Sequence, residues 1–274
     1  MRPDARFDRT MQGLERSLTV SHVSTADLST AFPKQQVRTV RAWASAAAIN
    51  NVPVRRDTAI VGVVENILGD LSQTRRVPAP PDDDASVADA ARPLGSDMLI
   101  EGSQPLAEIV DELLKPPHYR LVLEGGRLDS IVTPSDLGKL PMRVLVFTQI
   151  AHMESTVTDA IRRRYETEQD AIDALGVDGR AQVMGKVRDM KDKNLDPSVL
   201  ELASLRQKAQ IAAACGIFAG DRDELDAQFK DLYERLRNPL MHAATFVDDS
   251  LEALVRLSGH LHFIRERTAE ALGA

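Results

Sequence analysis

Six consecutive residues near the C-terminus combine side chains that could act together on a phosphate group. Arg237, Asn238 and His242 stand at the first, second and sixth positions of the segment Arg-Asn-Pro-Leu-Met-His. The guanidinium of Arg237 is always charged and its planar fork fits a phosphate. His242 titrates near neutral pH and can transfer protons, and Asn238 can orient an attacking group. These groups would suffice for RNA cleavage without a metal ion, with the ribose 2′-hydroxyl attacking the adjacent phosphate.

The same segment also has a purely structural interpretation. The Asn-Pro step can end one helix and start the next, because proline lacks an N–H and clashes with the preceding turn. Arg237 could pair with Asp231 or Glu234, and His242 could lie in a core or an interface. On a straight helix, Arg237 and His242 would point about 140° apart. A kink at Pro239, or two motifs facing each other across a two-fold axis, would bring them to one phosphate.

A second group of candidate residues follows a β-branched segment in the first half of the chain. Thr133 and Asp136 belong to the segment Ser130-Ile131-Val132-Thr133-Pro134-Ser135-Asp136. A carboxylate can accept two hydrogen bonds from ribose hydroxyls, and a hydroxyl beside a helix N-terminus suits a phosphate. Thr133 followed by Pro134 is also a helix-capping pattern with proline at the first helical position. The two interpretations are compatible.

Two similar stretches of about 50 residues position this second group. Each has the order helix, strand, polar turn, strand, and an internal repeat of this length is a signal of fold. The predicted elements are a helix at 36–48 with strands at 52–54 and 59–64, then a helix at 105–114 with strands at 98–101, 119–123 and 128–132. Residues 75–84, with three prolines and an acidic run, are predicted to link the copies.

From about residue 140 onward, apolar residues recur at helical spacing and the strand signals stop. The predicted helices are 143–166, 171–175, 181–193, 197–218, 221–237, which carries the Arg-Asn-Pro motif at its end, and a last helix to 272 that begins at Asp248 or Asp249. This pattern is typical of a helical bundle. We therefore expect an α+β part over residues 1–140 and an all-α part over residues 141–274.

Composition excludes several classes of protein. The net charge is −7, so RNA would have to bind at a local basic patch rather than to the whole surface. The single cysteine, Cys215, can form neither an internal disulfide nor a thiolate metal cluster. No His, Asp and Glu set has metal-ligand spacing, so no metal is expected. The absence of a secretory leader or an apolar membrane span predicts a soluble, cytoplasmic protein without membrane contact.

The repeated stretches resemble CBS domains, whose copies pair into a Bateman module. The matching segments are Val52-Pro53-Val54 with residues 60–64 in the first copy, about 16–70, and residues 121–126 with 130–137 in the second, about 85–140. The resemblance implies an adenine nucleotide (ATP, ADP, AMP or a related compound) as regulatory ligand, with Thr133 near phosphate and Asp136 on the ribose. The first copy has Glu65 and Leu68 at the equivalent positions, which predicts at most one such site per chain.

The helical part resembles a HEPN domain, whose bundles carry Arg, a polar residue and, a few residues later, His. This resemblance covers residues 141–274 and implies a homodimer with Arg237, Asn238 and His242 of two chains around one cleft. Together the resemblances predict a nucleotide-regulated, metal-independent endoribonuclease of the toxin or defence type that acts on RNA and could be silenced by an inhibitory partner protein. The alternative is a non-catalytic nucleotide-sensing adaptor whose helical half is a dimerisation or partner-docking module.

Overall fold

A computed structural model describes residues 5–69, 78–241 and 250–273, and these form two compact units. The sheet unit comprises residues 15–143, apart from 70–77, and 250–258. The helical unit comprises residues 5–14, 144–241 and 259–273. The change between the units at 143/144 lies three residues from the predicted boundary, whereas 5–14 and 250–258 belong to the unit opposite to the one expected. The division into two domains that fold independently stays a prediction.

The sheet unit contains two β-sheets and several short helices. Its strands are β1 Thr25–Ala26, β2 Val52–Arg56, β3 Ala59–Val64, β4 Arg92–Pro93, β5 Leu99–Glu101, β6 Arg120–Glu124 and β7 Arg127–Val132. The sheet orders are β1-β7-β6-β5 and β2-β3-β4. Its helices are α2 Val37–Ala46, α3 Val87–Ala90 and α4 Ile109–Leu114, with 3₁₀ helices at Val20–His22, Ser96–Met98, Leu106–Glu108 and Pro134–Gly138. The first helix of the chain, α1 Ala5–Ser17, lies mostly in the helical unit.

The two hairpins of the sheet unit have the same register. Val52 pairs with Val64 in the β2–β3 hairpin, and Arg120 pairs with Val132 in the β6–β7 hairpin; both ladders shift register at the corresponding place, after the third pair. Residues of the first copy therefore correspond to residues 68 positions further on in the second. The internal repeat predicted from the sequence is present in the structure.

Each copy lends a short strand to the other. β1, near the start of the first copy, pairs with β7 of the second, so that Thr25 lies opposite Ile131. β4, near the start of the second copy, pairs with β3 of the first in the equivalent way. Gly62 permits this approach, because an added Cβ would lie 2.5 Å from the Arg92 carbonyl oxygen. The exchange ties the two copies into one structure.

Apolar residues of both copies fill two clusters. One cluster packs α2 against β2 and β3, and contains Ala31, Val37, Val40, Ala44, Val52, Val54, Val64, Ile67 and Val87. The other lies between the two hairpins and contains Ile60, Val63, Met98, Tyr119 and Leu121. The β-branched residues that predict strands thus also supply much of the core.

Loops complete both ends of helix α2. At its N-terminus the backbone N–H groups of Val37 and Arg38 donate to the carbonyls of Ala85 and Asp83, each at 3.1 Å. The second part of the predicted linker therefore packs against α2, while residues 75–77 lie outside the described residues. At the C-terminus the chain turns through Ala48, whose φ is +54°, in a position where glycine is usual.

From residue 140 onward, every regular element of the described chain is helical. The helices are α5 Leu140–Arg164, α6 Glu168–Asp173, α7 Val177–Lys191, α8 Val199–Leu202, α9 Leu205–Ala214, α10 Arg222–Leu232, α11 Asn238–Met241 and α12 Leu251–Gly273. The Phe229 ring lies against Phe218 and Phe263, with ring centroids 5.6 and 4.9 Å apart. The all-α composition of this half agrees with the sequence, and its HEPN-like arrangement stays a prediction.

The single helix predicted over 197–218 is wrong, because the chain forms α8 and α9 instead. Ser204 interrupts it: its hydroxyl accepts from the Gln207 N–H, and the Gln207 side chain accepts from the Ser204 N–H. Such a capping box starts a new helix. Asp248 and Asp249, the predicted caps of α12, lie outside the described residues; the Ser250 hydroxyl accepts from the Ala253 N–H at 3.1 Å.

Candidate functional site

A cleft of about 330 Å³ lies in the sheet unit, where segments of both copies meet. It is within the size range of small-ligand sites. Residues near β1, the turn between α2 and β2, and the end of β7 form its walls. The lining residues are Thr25, Asp27, Leu28, Ser29, Ala47, Ala48, Ile49, Asn50, Asn51, Pro53, His118, Ile131, Thr133, Pro134, Ser135 and Asp136. Both nucleotide-binding residues predicted from the sequence, Thr133 and Asp136, belong to this set.

Asp136 is buried and its carboxylate already has four donors. Oδ2 accepts from the Thr133 N–H at 2.7 Å and from the Thr133 hydroxyl at 2.9 Å. Oδ1 accepts from the Thr25 hydroxyl at 2.8 Å and from Lys139 Nζ at 2.7 Å. A carboxylate has about four lone-pair sites. Asp136 therefore joins the first turn after β7 to β1 and has no acceptor capacity left for a further ligand in this arrangement.

Lys139 links the same network to the start of the long helix α5. Its ammonium group contacts Asp136 and donates to the Val23 carbonyl at 2.7 Å and to the Thr25 hydroxyl at 3.0 Å. The Lys139 carbonyl accepts from the Arg143 N–H at 3.3 Å, within the first turn of α5. The positive charge at the end of the cleft is thus tied to a carboxylate and two oxygens.

Other cleft residues retain hydrogen-bonding capacity. Asp27 is exposed, and the described part of the chain offers its carboxylate no hydrogen-bond or ion-pair partner. Asn50 Oδ1 is buried and lacks a partner among the described residues. His118 Nδ1 lies 2.9 Å from the Leu113 carbonyl and must donate to it, so Nε2 of the neutral ring is an acceptor. The cleft can therefore accept several hydrogen bonds from a ligand.

The equivalent position of the first copy is occupied by a different network. Glu65, which corresponds to Thr133, accepts from the Tyr119 hydroxyl at 2.8 Å and from Arg92 Nη1 at 3.1 Å. Burial and the neighbouring Glu65 carboxylate raise the pKa of Tyr119 well above its usual range. Arg92 also pairs with Asp97. Glu65 thus holds the two hairpins together, and a carboxylate at this place would repel a phosphate.

Arg120, at the start of β6, turns away from the cleft. Its buried guanidinium donates to the carbonyls of Pro117, Tyr119, Glu112 and Lys115, with the last at 3.2 Å. Two of these carbonyls lie at the end of α4, where backbone acceptors lack helical partners. Burial lowers the pKa of Arg120. This side chain supports the loop that carries His118 rather than shaping the cleft itself.

The Arg-Asn-Pro motif of the helical unit lies on a widened helical turn. Residues Tyr233–Arg237 form a π-helical turn, and α11 continues directly from Asn238 to Met241. Pro239 is expected to kink the helix or to end it after Asn238, and the helix does not end there. A π turn changes the local hydrogen-bond register, so the missing N–H of Pro239 is accommodated without a break.

Arg237 is half-buried, and its guanidinium lies over the Tyr233 ring, 5.2 Å from the centroid. It does not pair with Asp231, because that carboxylate contacts Arg235 and His260, each at 2.8 Å. Within the described residues, Arg237 has no ion pair with a carboxylate. Its charge therefore remains available for an anionic ligand.

The predicted catalytic group cannot be assembled from the described residues alone. Arg237 and Asn238 are adjacent at the end of the π turn, whereas His242 lies outside the described residues. Among residues with described positions, no set of three His, Cys, Asp or Glu could hold a metal ion. None of the described helices is both long and apolar enough to span a bilayer.

Sequence reasoning missed the residues that complete the cleft. Thr25, Asp27 and Asn50 come from the first copy, far from Thr133 in sequence, and no motif marks them. His118 precedes the strand β6, and its proximity to the predicted hairpin is the only signal in the sequence. Only the strand exchange between copies places these side chains around Asp136.

Comparisons with known proteins concern about half of the chain. The CBS-pair protein CBSX2 from Arabidopsis thaliana matches with 20% identity over 47% of this chain and 94% of its own, with a TM-score of 0.34. Its structure in complex with AMP matches with 20% identity, 48% and 98% coverage and a TM-score of 0.35. The CBS domain of a bacterial CNNM/CorC family Mg²⁺ transporter in complex with ATP matches with 18% identity, 51% and 94% coverage and a TM-score of 0.37.

These similar solved structures are CBS-pair proteins, and each is matched along most of its own length. No protein-family model matches the chain, and no curated protein sequence is similar to it.

Proposed function

We propose that the sheet unit is a CBS-pair module that binds an adenine nucleotide in the cleft between its two copies. The observation that carries this proposal is the cleft itself, because both copies line it and it includes Thr133 and Asp136. A ligand that contacts both copies binds one arrangement of them better than another, which is the requirement for a sensor. The proposed site is single, since Glu65 occupies the equivalent place in the first copy.

The chemistry of the walls supports an adenine nucleoside moiety. Ile49, Leu28 and Ile131 provide apolar surface for a purine ring, and the side chains of Asn50 and Asn51 belong to the same lining. The hydroxyls of Thr133 and Ser135 lie 2.8 Å apart at the end of β7. Thr133 donates to Asp136, so the exposed hydroxyl of Ser135 is the one that can turn to donate to a phosphate. The charged side chains of the lining are both acidic, so a monophosphate is favoured over a triphosphate, which carries more negative charge.

Isothermal titration calorimetry of the whole chain with AMP, ADP, ATP and NAD tests this proposal. We expect saturable binding of one ligand per chain, with AMP tighter than ATP. Ile131→Glu, which places a carboxylate in the apolar wall, should abolish binding. Leu195→Glu, at an exposed apolar residue of the helical unit, is the matched control and should leave it unchanged. Absence of binding by any of the four compounds would refute the nucleotide proposal.

We further propose that the helical half is a HEPN-type endoribonuclease, in which Arg237, Asn238 and His242 act on RNA. The π turn favours this function, because such turns occur frequently at functional sites. Arg237, without an ion-pair partner in the described chain, would stabilise the charge that develops on phosphate. His242 would act as acid or base, and the products would be a 2′,3′-cyclic phosphate and a 5′-hydroxyl.

Cleavage of a mixed RNA pool in EDTA, with and without AMP, tests the ribonuclease proposal. Arg237→Ala and His242→Ala should abolish cleavage. Arg235→Ala removes an equal charge two residues before the motif, and this variant should still cleave RNA. Equal cleavage by all variants would contradict the assigned roles, and a change in rate with AMP would assign the sheet unit its regulatory role.

The homodimer remains part of this second proposal, since two motifs would face each other around one RNA. Sedimentation of the chain at micromolar concentration tests it. A chain that binds AMP and dimerises but cleaves no RNA would favour the adaptor, in which the helical half docks a partner protein. An inhibitory partner would be expected only for an active nuclease.

A further inference from the structure

One oxygen of the Asp136 carboxylate carries two donors that a ligand can replace. Oδ2 accepts from the N–H and the hydroxyl of Thr133, and these bonds cap the short helix Pro134–Gly138. Oδ1 accepts from the Thr25 hydroxyl at 2.8 Å and from Lys139 Nζ at 2.7 Å. A ribose hydroxyl that binds Asp136 must therefore compete with donors of the chain itself, and the competition takes place at Oδ1.

Lys139 is the stronger of the two competitors. Its ammonium group brings a positive charge to the carboxylate, which the neutral hydroxyls of Thr25 and of a ribose do not. The Lys139 side chain is nevertheless 41% exposed, so water can solvate the ammonium group once it leaves Asp136. The contact is therefore strong enough to lower the affinity for a ligand and exposed enough to open.

The same residue fixes the beginning of helix α5. Besides Asp136, the Lys139 ammonium group contacts two oxygens in or just before β1, at 2.7 and 3.0 Å. The Lys139 N–H donates to the Asp136 carbonyl at 3.1 Å, and the Lys139 carbonyl accepts from the Arg143 N–H at 3.3 Å. Helix α5 starts in the sheet unit, and its residues from 144 onward belong to the helical unit. A change at Asp136 Oδ1 thus acts on the first turn of a helix that both units share.

We propose that Lys139 is an internal competitor of the nucleotide: a ribose that binds Asp136 displaces the Lys139 ammonium group, and this displacement loosens the first turn of α5. The inference rests on the nucleotide-binding function proposed above and names the step by which the ligand acts on the helical half. The alternative is that the ammonium group binds the phosphate of the nucleotide. Removal of the charge separates the two roles, because loss of a competitor raises the affinity for AMP and loss of a phosphate ligand lowers it.

Titration calorimetry of the whole chain with AMP tests the competition. Lys139→Met keeps the length of the side chain without its charge and should bind AMP roughly three- to tenfold more tightly than the parent. Lys139→Arg keeps the charge and should bind AMP no more tightly than the parent. Lys115→Met removes an equal charge from a residue that pairs with Glu112 and does not line the cleft, and it should leave the affinity unchanged. Fluorescence of Trp43 checks that the sheet unit of each variant is folded.

Hydrogen exchange followed by mass spectrometry tests the effect on α5. AMP should accelerate exchange in peptides that cover residues 140–147 of the parent, because the displaced Lys139 no longer fixes the first turn. Ligand binding alone stabilises the folded state and slows exchange, so an acceleration is specific to the release. Lys139→Met should exchange rapidly in these peptides without AMP and change little when AMP is added.

Three results would count against the proposal. Lower or unchanged affinity for AMP in Lys139→Met overturns the competition. Slower or unchanged exchange at residues 140–147 when AMP binds the parent overturns the release of α5, and both results leave the nucleotide site in place. A parent that binds none of AMP, ADP, ATP and NAD overturns the proposed function, and the inference falls with it.

Discussion

The network around Asp136 gives the sharpest test of how the sheet unit is held together. In Asp136→Asn, one oxygen becomes an NH₂ group and the negative charge disappears. The new NH₂ group must face either the Thr133 N–H or the side chains of Thr25 and Lys139. All of these groups donate to the carboxylate in the parent, so the NH₂ group cannot accept from them. At least one backbone or ammonium donor therefore loses its acceptor.

The expected cost follows from the bonds that are lost. Hydrogen bonds to a charged group contribute roughly 1.5–3 kcal/mol each, and loss of a helix cap costs about 1 kcal/mol. The side chain of Lys139 is 41% exposed and regains water, so its share is discounted. The total is a destabilisation of about 3 kcal/mol, which lowers a urea midpoint by roughly 1–3 M for ordinary m-values.

Trp43 provides the assay, because it is the only tryptophan of the chain and packs against the core cluster around α2. Its fluorescence therefore reports the unfolding of the sheet unit alone. Asp27→Asn, at an exposed residue of the same cleft, is the control and should change stability by less than about 0.5 kcal/mol. A loss below about 1 kcal/mol for Asp136→Asn would refute the view that its four contacts are structural.

Three further changes test other parts of the structure. Ala48→Gly should stabilise the sheet unit by about 0.5 kcal/mol in urea unfolding, because the strain relieved at the left-handed position exceeds the entropy cost of glycine. A loss of stability would show that the φ of +54° is not strained in the parent. The pKa of Tyr119 is raised by burial and by the Glu65 carboxylate. The neutral Tyr119 therefore stabilises the folded state fully below the unfolded pKa of about 10, and this contribution to stability declines above that pH. The stability difference between parent and Tyr119→Phe should therefore narrow above about pH 10, and a constant difference would contradict this. In the helical unit, Lys208→Met removes the buried ion-pair partner of Glu154, whose carboxylate lies 2.8 Å from Lys208 Nζ. Thermal unfolding followed by circular dichroism should show a loss of stability of about 2 kcal/mol. No change would mean that water replaces the ion pair.

The local signals in the sequence predicted most elements of the sheet unit. Val52, Val54 and residues 59–64 are β-branched or small and form the predicted hairpin, and the second hairpin repeats it 68 residues later. Turn and capping residues act over three or four positions, so their effects can be recognised without a partner segment. The same locality explains the errors: Ser204 caps a new helix where apolar spacing predicted a continuous one, and a π turn accommodates Pro239.

The candidate site could be predicted only in part. Thr133 and Asp136 follow a recognisable motif, and the structure places both at the cleft. The motif could not show that Asp136 is saturated, because two of its donors lie outside the motif. Thr25 belongs to the other copy, and Lys139 follows Asp136 by three residues. In the helical half, the same limitation applies to Arg237, because one of its two acidic candidates, Asp231, binds His260 of the last helix.

The sequence by itself determined the order of elements, the duplication and the residues able to do chemistry, since these depend on side-chain type and near-neighbour spacing. The tertiary structure decided which of those residues are available. The exchange of β1 and β4 brings Asp27 and Thr25 into the cleft of the other copy, where Thr25 helps to saturate one carboxylate while Asp27 stays free. Hydrogen-bond capacity is a property of contacts between distant segments, and folding alone sets those contacts.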